Sequence, residues 1–243
     1  MGELFVPVII GLAQYNFINK DITFNLAQME KALKEAAGKV DLLCFGEAFL
    51  QGFDSLSWKY EEDKTVAVTK DSPEMQTIFD WSKEYSVAIA FGYIEREDET
   101  LYSSYAFVED GKLTHNYRRM SIGWKESPET DNHYKEGETV ETFSFMGHDF
   151  EIALCGDLWD VTWDKFVTNA IVLWPVYVSF TLEEWPQEEI EYTKQAEKIS
   201  ERVLMVNSLS VDPVSHGGTF YFKNGAIQNK LLYDVEDILI VEL

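Results

Sequence analysis

Cysteine is scarce: the 243 residues hold only Cys44 and Cys155. A disulfide framework is therefore excluded, and each thiol has to be explained singly. Basic residues are also few, 20 Lys and Arg against 43 Asp and Glu, for a net charge of −23. That balance argues against nucleic acid or an anionic membrane as a partner; it reads either as a solubility surface or as weak steering of cationic substrates. No apolar run approaches the length of a bilayer span. The start, Met1-Gly2-Glu3-Leu4, lacks the basic region of a secretory signal, and no hydroxyl residue completes a myristoylation signal. A cytoplasmic protein is the expectation. His115, His133, His148 and His216 are scattered without ligand spacing and no Gly-rich phosphate loop is present, so no metal or other cofactor is expected. Repeats, linkers and low-complexity tracts are missing too, and 1–243 reads as one domain.

What the chain does have is a large apolar fraction, 46%, arranged in short runs. Val6 to Ala13 is an apolar run suggesting a central strand that begins at Pro7, and Val40 to Phe45 and Val87 to Tyr93 read as further strands. Asp21 or Thr23 can cap a helix ended by Gly38, and Ser72-Pro73 caps a second one. Leu101 to Glu109 and Lys112 to Arg118 flank Asp110-Gly111, a strong hairpin signal. Val140 to Phe145 and Phe150 to Leu154 form another hairpin, and Ser121 to Gly137 between the two is a long polar loop. Ala170 to Leu173, closed by Trp174-Pro175, is a short strand; Glu183 to Arg202 reads as a helix and Val203 to Asn207 as a strand. Gly217-Gly218 introduces a last pair of strands ending at Ile238 to Leu243. This alternation predicts an α/β sandwich of two mixed sheets under helices.

Three strands end on a reactive group. Glu47 follows the strand through Phe45, Arg119 follows the strand from Lys112, and Cys155 follows Phe150 to Leu154. A carboxylate, a fixed cation and a thiol are the parts that acyl transfer needs: a base for the thiol proton, a nucleophile, and a charge for the oxyanion. Each also has a plainer reading. Cys155 can be a small buried hydrophobe, Glu47 a cap, and Arg119 a partner for one of many acids. Cys44 sits within a buried strand and reads as core. Trp159, Trp163, Trp174, Tyr177 and Phe180 flank the thiol strand and the next one, as ordinary packing or as the wall of a pocket for an apolar or cationic acyl group.

From end to end the chain resembles the carbon–nitrogen hydrolase (nitrilase) superfamily. Glu47 with Gly52-Phe53 is similar to its glutamate motif, Tyr117-Arg118-Arg119 stands where the family has Tyr-Arg-Lys, and Cys155-Gly156-Asp157 stands at its Cys-Tyr-Asp. Gly137, Pro175, Glu201, Asn207, Gly218-Thr219 and Asn224-Gly225 follow in matching order. The resemblance implies a four-layer αββα sandwich, often assembled as a homodimer or higher homo-oligomer. It also implies hydrolysis of a small-molecule amide or carbamoyl compound by a Glu-Lys-Cys triad. Carried over, Glu47 is the base and acid and Cys155 the nucleophile, with Arg119 at the lysine position. Arginine cannot act as an acid; Lys125 is the nearby lysine that would have to fold back. Glu129, with Glu126 behind it, is the nearest match to a second family glutamate. Trp159 and Tyr177 complete the candidate substrate-side residues. The alternative reading is a pseudoenzyme, the same sandwich kept as a binding or interaction module after loss of the lysine.

Overall fold

A computed structural model describes residues 7–126 and 128–243. The first residue of the Val6 to Ala13 run and the Met1-Gly2 pair lie outside the described residues. In chain order the first half gives β1 (Ile9–Gln14), α1 (Ile22–Ala36), β2 (Leu42–Cys44), α2 (Tyr60–Asp63), α3 (Pro73–Glu84), β3 (Ala88–Glu97), β4 (Thr100–Glu109) and β5 (Lys112–Arg118). The second half gives β6 (Phe143–Phe145), β7 (His148–Ile152), β8 (Ile171–Val176), α4 (Trp185–Ile199), β9 (Arg202–Asn207), β10 (Leu209–Val211), β11 (Val214–His216), β12 (Phe220–Lys223), β13 (Ala226–Lys230) and β14 (Asp237–Glu242).

Two six-stranded mixed sheets result, in the orders β14-β1-β2-β3-β4-β5 and β13-β12-β9-β8-β7-β6. Strands β1, β2 and β3 run parallel in the first, and β7, β8 and β9 in the second. Alternation along each strand separates two environments. Ile10, Leu12, Leu42, Cys44, Tyr105 and Phe107 face the second sheet, where they meet Phe150, Ile152 and Leu173. Ala13, Leu43, Phe45, Ile89, Phe91 and Tyr93 face the other way, under α1 and α3. On the far side α4 packs Trp185, Tyr192, Ala196 and Ile199 on its own sheet. The layers are thus α, β, β, α. Each fully buried Leu, Ile or Phe in them contributes about 1.5–3 kcal/mol.

Local chemistry explains the elements. Asp21 caps α1 by accepting from the Phe24 amide at 2.9 Å, and Ser72 caps α3, with Pro73 in its first turn. Asp110-Gly111 and Met146-Gly147 are two-residue turns in which all four residues have positive φ, the geometry that matches the twist of a hairpin. Strands β4 and β5 slip register between Phe107/Val108, where Thr114 is the extra residue.

Three expectations need correcting. The last pair of strands expected after Gly217-Gly218 is three, β12 and β13 in the second sheet and β14 in the first. Strand β8 does not close before Trp174-Pro175 but runs through both to Val176. Proline is tolerated because β7 has already stopped pairing at Leu173, so the side on which Pro175 lacks an N–H has no ladder left to join. The stretch from Leu209 to His216, unassigned from sequence, is the β10–β11 hairpin. Among the described residues no helix is long and apolar enough to cross a membrane.

Candidate active site

The carboxyl ends of β2, β5 and β7 converge, and with them the three reactive groups. The end of β2 reaches across to the second sheet, where the Glu47 amide donates to the Val176 carbonyl at 3.3 Å. This approach needs a glycine in β3: a Cβ on Gly92 would stand 2.7 Å from Glu47 Cα and 2.3 Å from the Ala48 nitrogen.

Glu47 is completely buried. Its Oε1 accepts from Arg119 Nη1 at 2.7 Å, whereas Oε2 is buried with no hydrogen-bond partner. An unpaired buried oxygen of this kind costs about 1–3 kcal/mol, a cost seldom kept without a function. Burial pushes the Glu47 carboxyl above the ordinary carboxylate range, with Arg119 pulling the other way. For Arg119, burial opposes the charge, but Glu47, Cys155 and Asp157 outweigh it and keep the guanidinium charged. Its Nε donates to Ser121 Oγ at 2.7 Å, and only 4% of the side chain is exposed.

Cys155 sits on the turn after β7 with φ 45°, a left-handed conformation that strains a non-glycine residue. The turn is tied down on both sides. Trp174 Nε1 donates to the Cys155 carbonyl at 3.0 Å, and the Leu154 amide donates to Asp157 Oδ2 at 2.9 Å. The thiol itself donates to the Tyr177 carbonyl at 3.9 Å. Its pKa is pushed up to about 12, by burial first and the Glu47 charge second, against Arg119. At neutral pH it rests as a thiol, so a nucleophilic role would need a base to take its proton.

Of the sequence candidates, Glu47, Arg119 and Cys155 are brought together. Trp159 stands close by, 45% exposed, with its ring 5.9 Å from Trp174 and 5.1 Å from Tyr192. Tyr177 touches the thiol only through its carbonyl; its ring stacks on Phe53 at 4.7 Å and its hydroxyl meets Ser210 Oγ at 2.9 Å. Glu129 lies exposed on a turn closed by its amide to the Glu126 carbonyl, and no described contact joins it to the three. Lys125 does not fold back onto Glu47: its Nζ pairs with Glu136 at 2.7 Å and donates to the Tyr134 carbonyl at 2.9 Å.

Sequence reasoning missed the clamp. Asp157 accepts from Tyr117 Oη at 2.6 Å, the Met120 amide at 3.0 Å and the Ser121 amide at 2.7 Å, besides Leu154. One carboxylate therefore fixes the loop of the guanidinium relative to the turn of the thiol. Its place in Cys155-Gly156-Asp157 was the available signal. Tyr192 was missed as well: it comes from α4, and Cys155 and Glu47 are near enough to raise its hydroxyl pKa further after burial has done so. Nothing in the helix pattern distinguishes it from packing.

The four-layer α/β sandwich, with Glu47, Arg119 and Cys155 gathered at the carboxyl ends of strands, defines the class of scaffold. The carbon-nitrogen hydrolase family model matches residues 9–176, and the chain belongs to that family. Among curated relatives, a glutamine-dependent NAD(+) synthetase of Acinetobacter baylyi is 21% identical over 94% of this chain and 44% of its own length. An (R)-stereoselective amidase of a Pseudomonas species is 25% identical over 61% of this chain and 52% of its own. The chain spans between 26% and 52% of the length of the curated relatives it matches. Among solved structures, a CN-hydrolase superfamily protein of Xanthomonas campestris superposes with a TM-score of 0.81 at 16% identity, covering 98% of this chain and 91% of that one. An amidase of Nesterenkonia does so with a TM-score of 0.76 at 16% identity, covering 97% and 90%.

Proposed function

We propose that the protein hydrolyses a C–N bond of a small amide or carbamoyl compound through a thioester on Cys155. In this reading Glu47 takes the thiol proton, and Sγ attacks the carbonyl carbon. Arg119 holds the oxyanion of the tetrahedral intermediate. On collapse the C–N bond breaks and Glu47 returns the proton to the departing nitrogen. Glu47 then takes a proton from water, the hydroxide opens the thioester, and the acid leaves as the thiol is restored. Arginine stays protonated at any working pH, so every proton in the cycle travels through Glu47. A homo-oligomer without a cofactor, nucleic acid or membrane partner completes the reading.

The single observation that carries it is the divided carboxylate of Glu47: one oxygen is held by Arg119, and the other makes no further protein hydrogen bond in a buried site where the Cys155 thiol is close enough to act on the carboxyl. The test follows alkylation of Cys155 by iodoacetamide against pH, with buried Cys44 as internal control. Cys155 should react faster than Cys44, and the advantage should disappear in Glu47→Gln. Ammonia release is then sought across amides and carbamoyl compounds. A Cys155 that is inert, or indifferent to Glu47, turns the reading to a binding module.

A further inference from the structure

Gly156 follows the nucleophile, yet its backbone does not call for glycine. The left-handed residue of this turn is Cys155, and Gly156 is not among the positive-φ glycines. What glycine supplies is room. A Cβ on Gly156 would stand 2.3 Å from Arg119 Nη2 and 3.2 Å from Ser121 Oγ. From the other direction, a Cβ on Gly123 would stand 3.3 Å from the same Nη2. The outer arm of the guanidinium thus lies in a slot between two glycines.

Arg119 has little freedom to withdraw from that slot. Its Nε is held by Ser121 and its Nη1 by Glu47, both at 2.7 Å, and its surroundings are closed. A side chain at 156 would therefore act on the cation rather than on the fold at large, pushing the guanidinium off Glu47 and away from the thiol. We propose that Gly156 is a positioning residue for Arg119. The two positions work as a unit, in which the branched cation requires an empty 156 and a side chain at 156 requires a shorter, unbranched cation. Resting on the hydrolase reading above, the proposal adds what sets its cation in place.

The experiment is a double-mutant cycle of wild type, Gly156→Ala, Arg119→Lys and the double variant, read by Cys155 alkylation against pH and by thermal denaturation. In the arginine background Gly156→Ala should slow alkylation by about 10- to 100-fold, the scale of a misplaced catalytic group. The pH profile should also move to higher pH, because a charge that favours the thiolate has been displaced. In the lysine background the same substitution should change the rate by less than about 3-fold. Should Gly156→Ala fold poorly, the melting temperature carries the test, and Arg119→Lys should restore it. Equal effects of Gly156→Ala in both backgrounds, on rate and on melting, would overturn the proposal. If wild-type Cys155 is no more reactive than Cys44, the hydrolase reading fails by itself. Coupling in the melting temperatures then still decides whether 119 and 156 share one space.

Discussion

Arg118 and Arg119 are neighbours in the chain, and each meets a carboxylate that is completely buried, yet the two pairs are built for opposite ends. Alternation along β5 sends Arg118 to the helix side of its sheet and Arg119 to the cleft between the sheets. There Arg118 meets Glu95, which is saturated. Arg118 reaches it with Nε at 3.0 Å and Nη2 at 2.5 Å, Ser104 donates at 2.6 Å, Asn116 at 2.9 Å, and Lys70 pairs at 3.0 Å. Burial alone would raise the Glu95 pKa, but these partners outweigh it and bring it down to about 2. Glu47 has one strong partner and an idle oxygen, and burial wins there. A carboxylate with every lone pair engaged is an anchor, while one left partly unpaired suits the base proposed above. Both side chains are closed to solvent, but Glu47 lies deeper and has one charged partner where Glu95 has several, so depth and partner count act together.

The largest expected effect is on chemistry at the unsatisfied site. Cys155→Ala should abolish ammonia release from any substrate found, and surviving activity would exclude the thioester route. Next, Glu47→Gln should lower turnover and Cys155 alkylation by about 10²–10⁴-fold while melting little differently, because the amide oxygen still accepts from Arg119. The matched change on the other pair should reverse that pattern. Glu95→Ala leaves Arg118 and Lys70 without their buried counter-charge and should cost about 3–5 kcal/mol, a fall of roughly 10 °C in melting temperature for a chain of this size. Its alkylation profile per folded molecule should match wild type. Were both substitutions to damage stability alike, the contrast between anchor and base would be lost.

The pH dependence sharpens the same contrast, with opposite signs. Glu95 is depressed, so its stabilisation is present above the unfolded carboxylate range and is lost as pH falls through that range towards about 2. Glu47 is raised, so its contribution is fully present below the ordinary value of 4.5 and is lost as pH climbs above it. Calorimetry between acid and neutral pH should show Glu47→Gln gaining on wild type as pH rises, and Glu95→Ala closing on wild type as pH drops. A Glu47→Gln curve parallel to wild type would contradict the raised carboxyl. The smallest effect belongs to Lys125→Ala. Its largely buried pair with Glu136 and its bond to the Tyr134 carbonyl serve the loop, so stability should fall while alkylation of Cys155 is unchanged. A loss of reactivity would make Lys125 the working cation after all.

Much of this architecture could be read from the chain because turn and cap chemistry is local. Asp21, Ser72-Pro73 and Asp110-Gly111 each act within a few residues of themselves, and the elements they bound appear where expected. The three reactive groups were legible for a related reason: a polar residue straight after an apolar strand has one destination. What escaped depends on distant parts of the chain. That Pro175 can lie inside a strand depends on where β7 stops, and the role of Tyr192 on how α4 seats over the second sheet. Glu129 matched a family position loosely by spacing, but the loop folds with Lys125 and Glu136 joined and leaves Glu129 on the outside. The slot for Arg119 is a fact about missing atoms, and only coordinates disclose what a glycine leaves vacant.

The extra residue in β5 carries a consequence for how this chain can vary in length. Leu113 packs on the helix side of the sheet, and the odd-numbered positions after it would follow if pairing were regular. Because Thr114 is inserted at the register slip, His115 and Tyr117 instead face the second sheet, and Arg119 with them. Parity is thus set by a single residue far from the chemistry. Deleting Thr114, or adding one residue between Asp110 and Tyr117, would exchange the destinations of the two arginines without altering either. Whatever side chains descendants of this sequence carry on that edge strand, they inherit its residue count as a constraint.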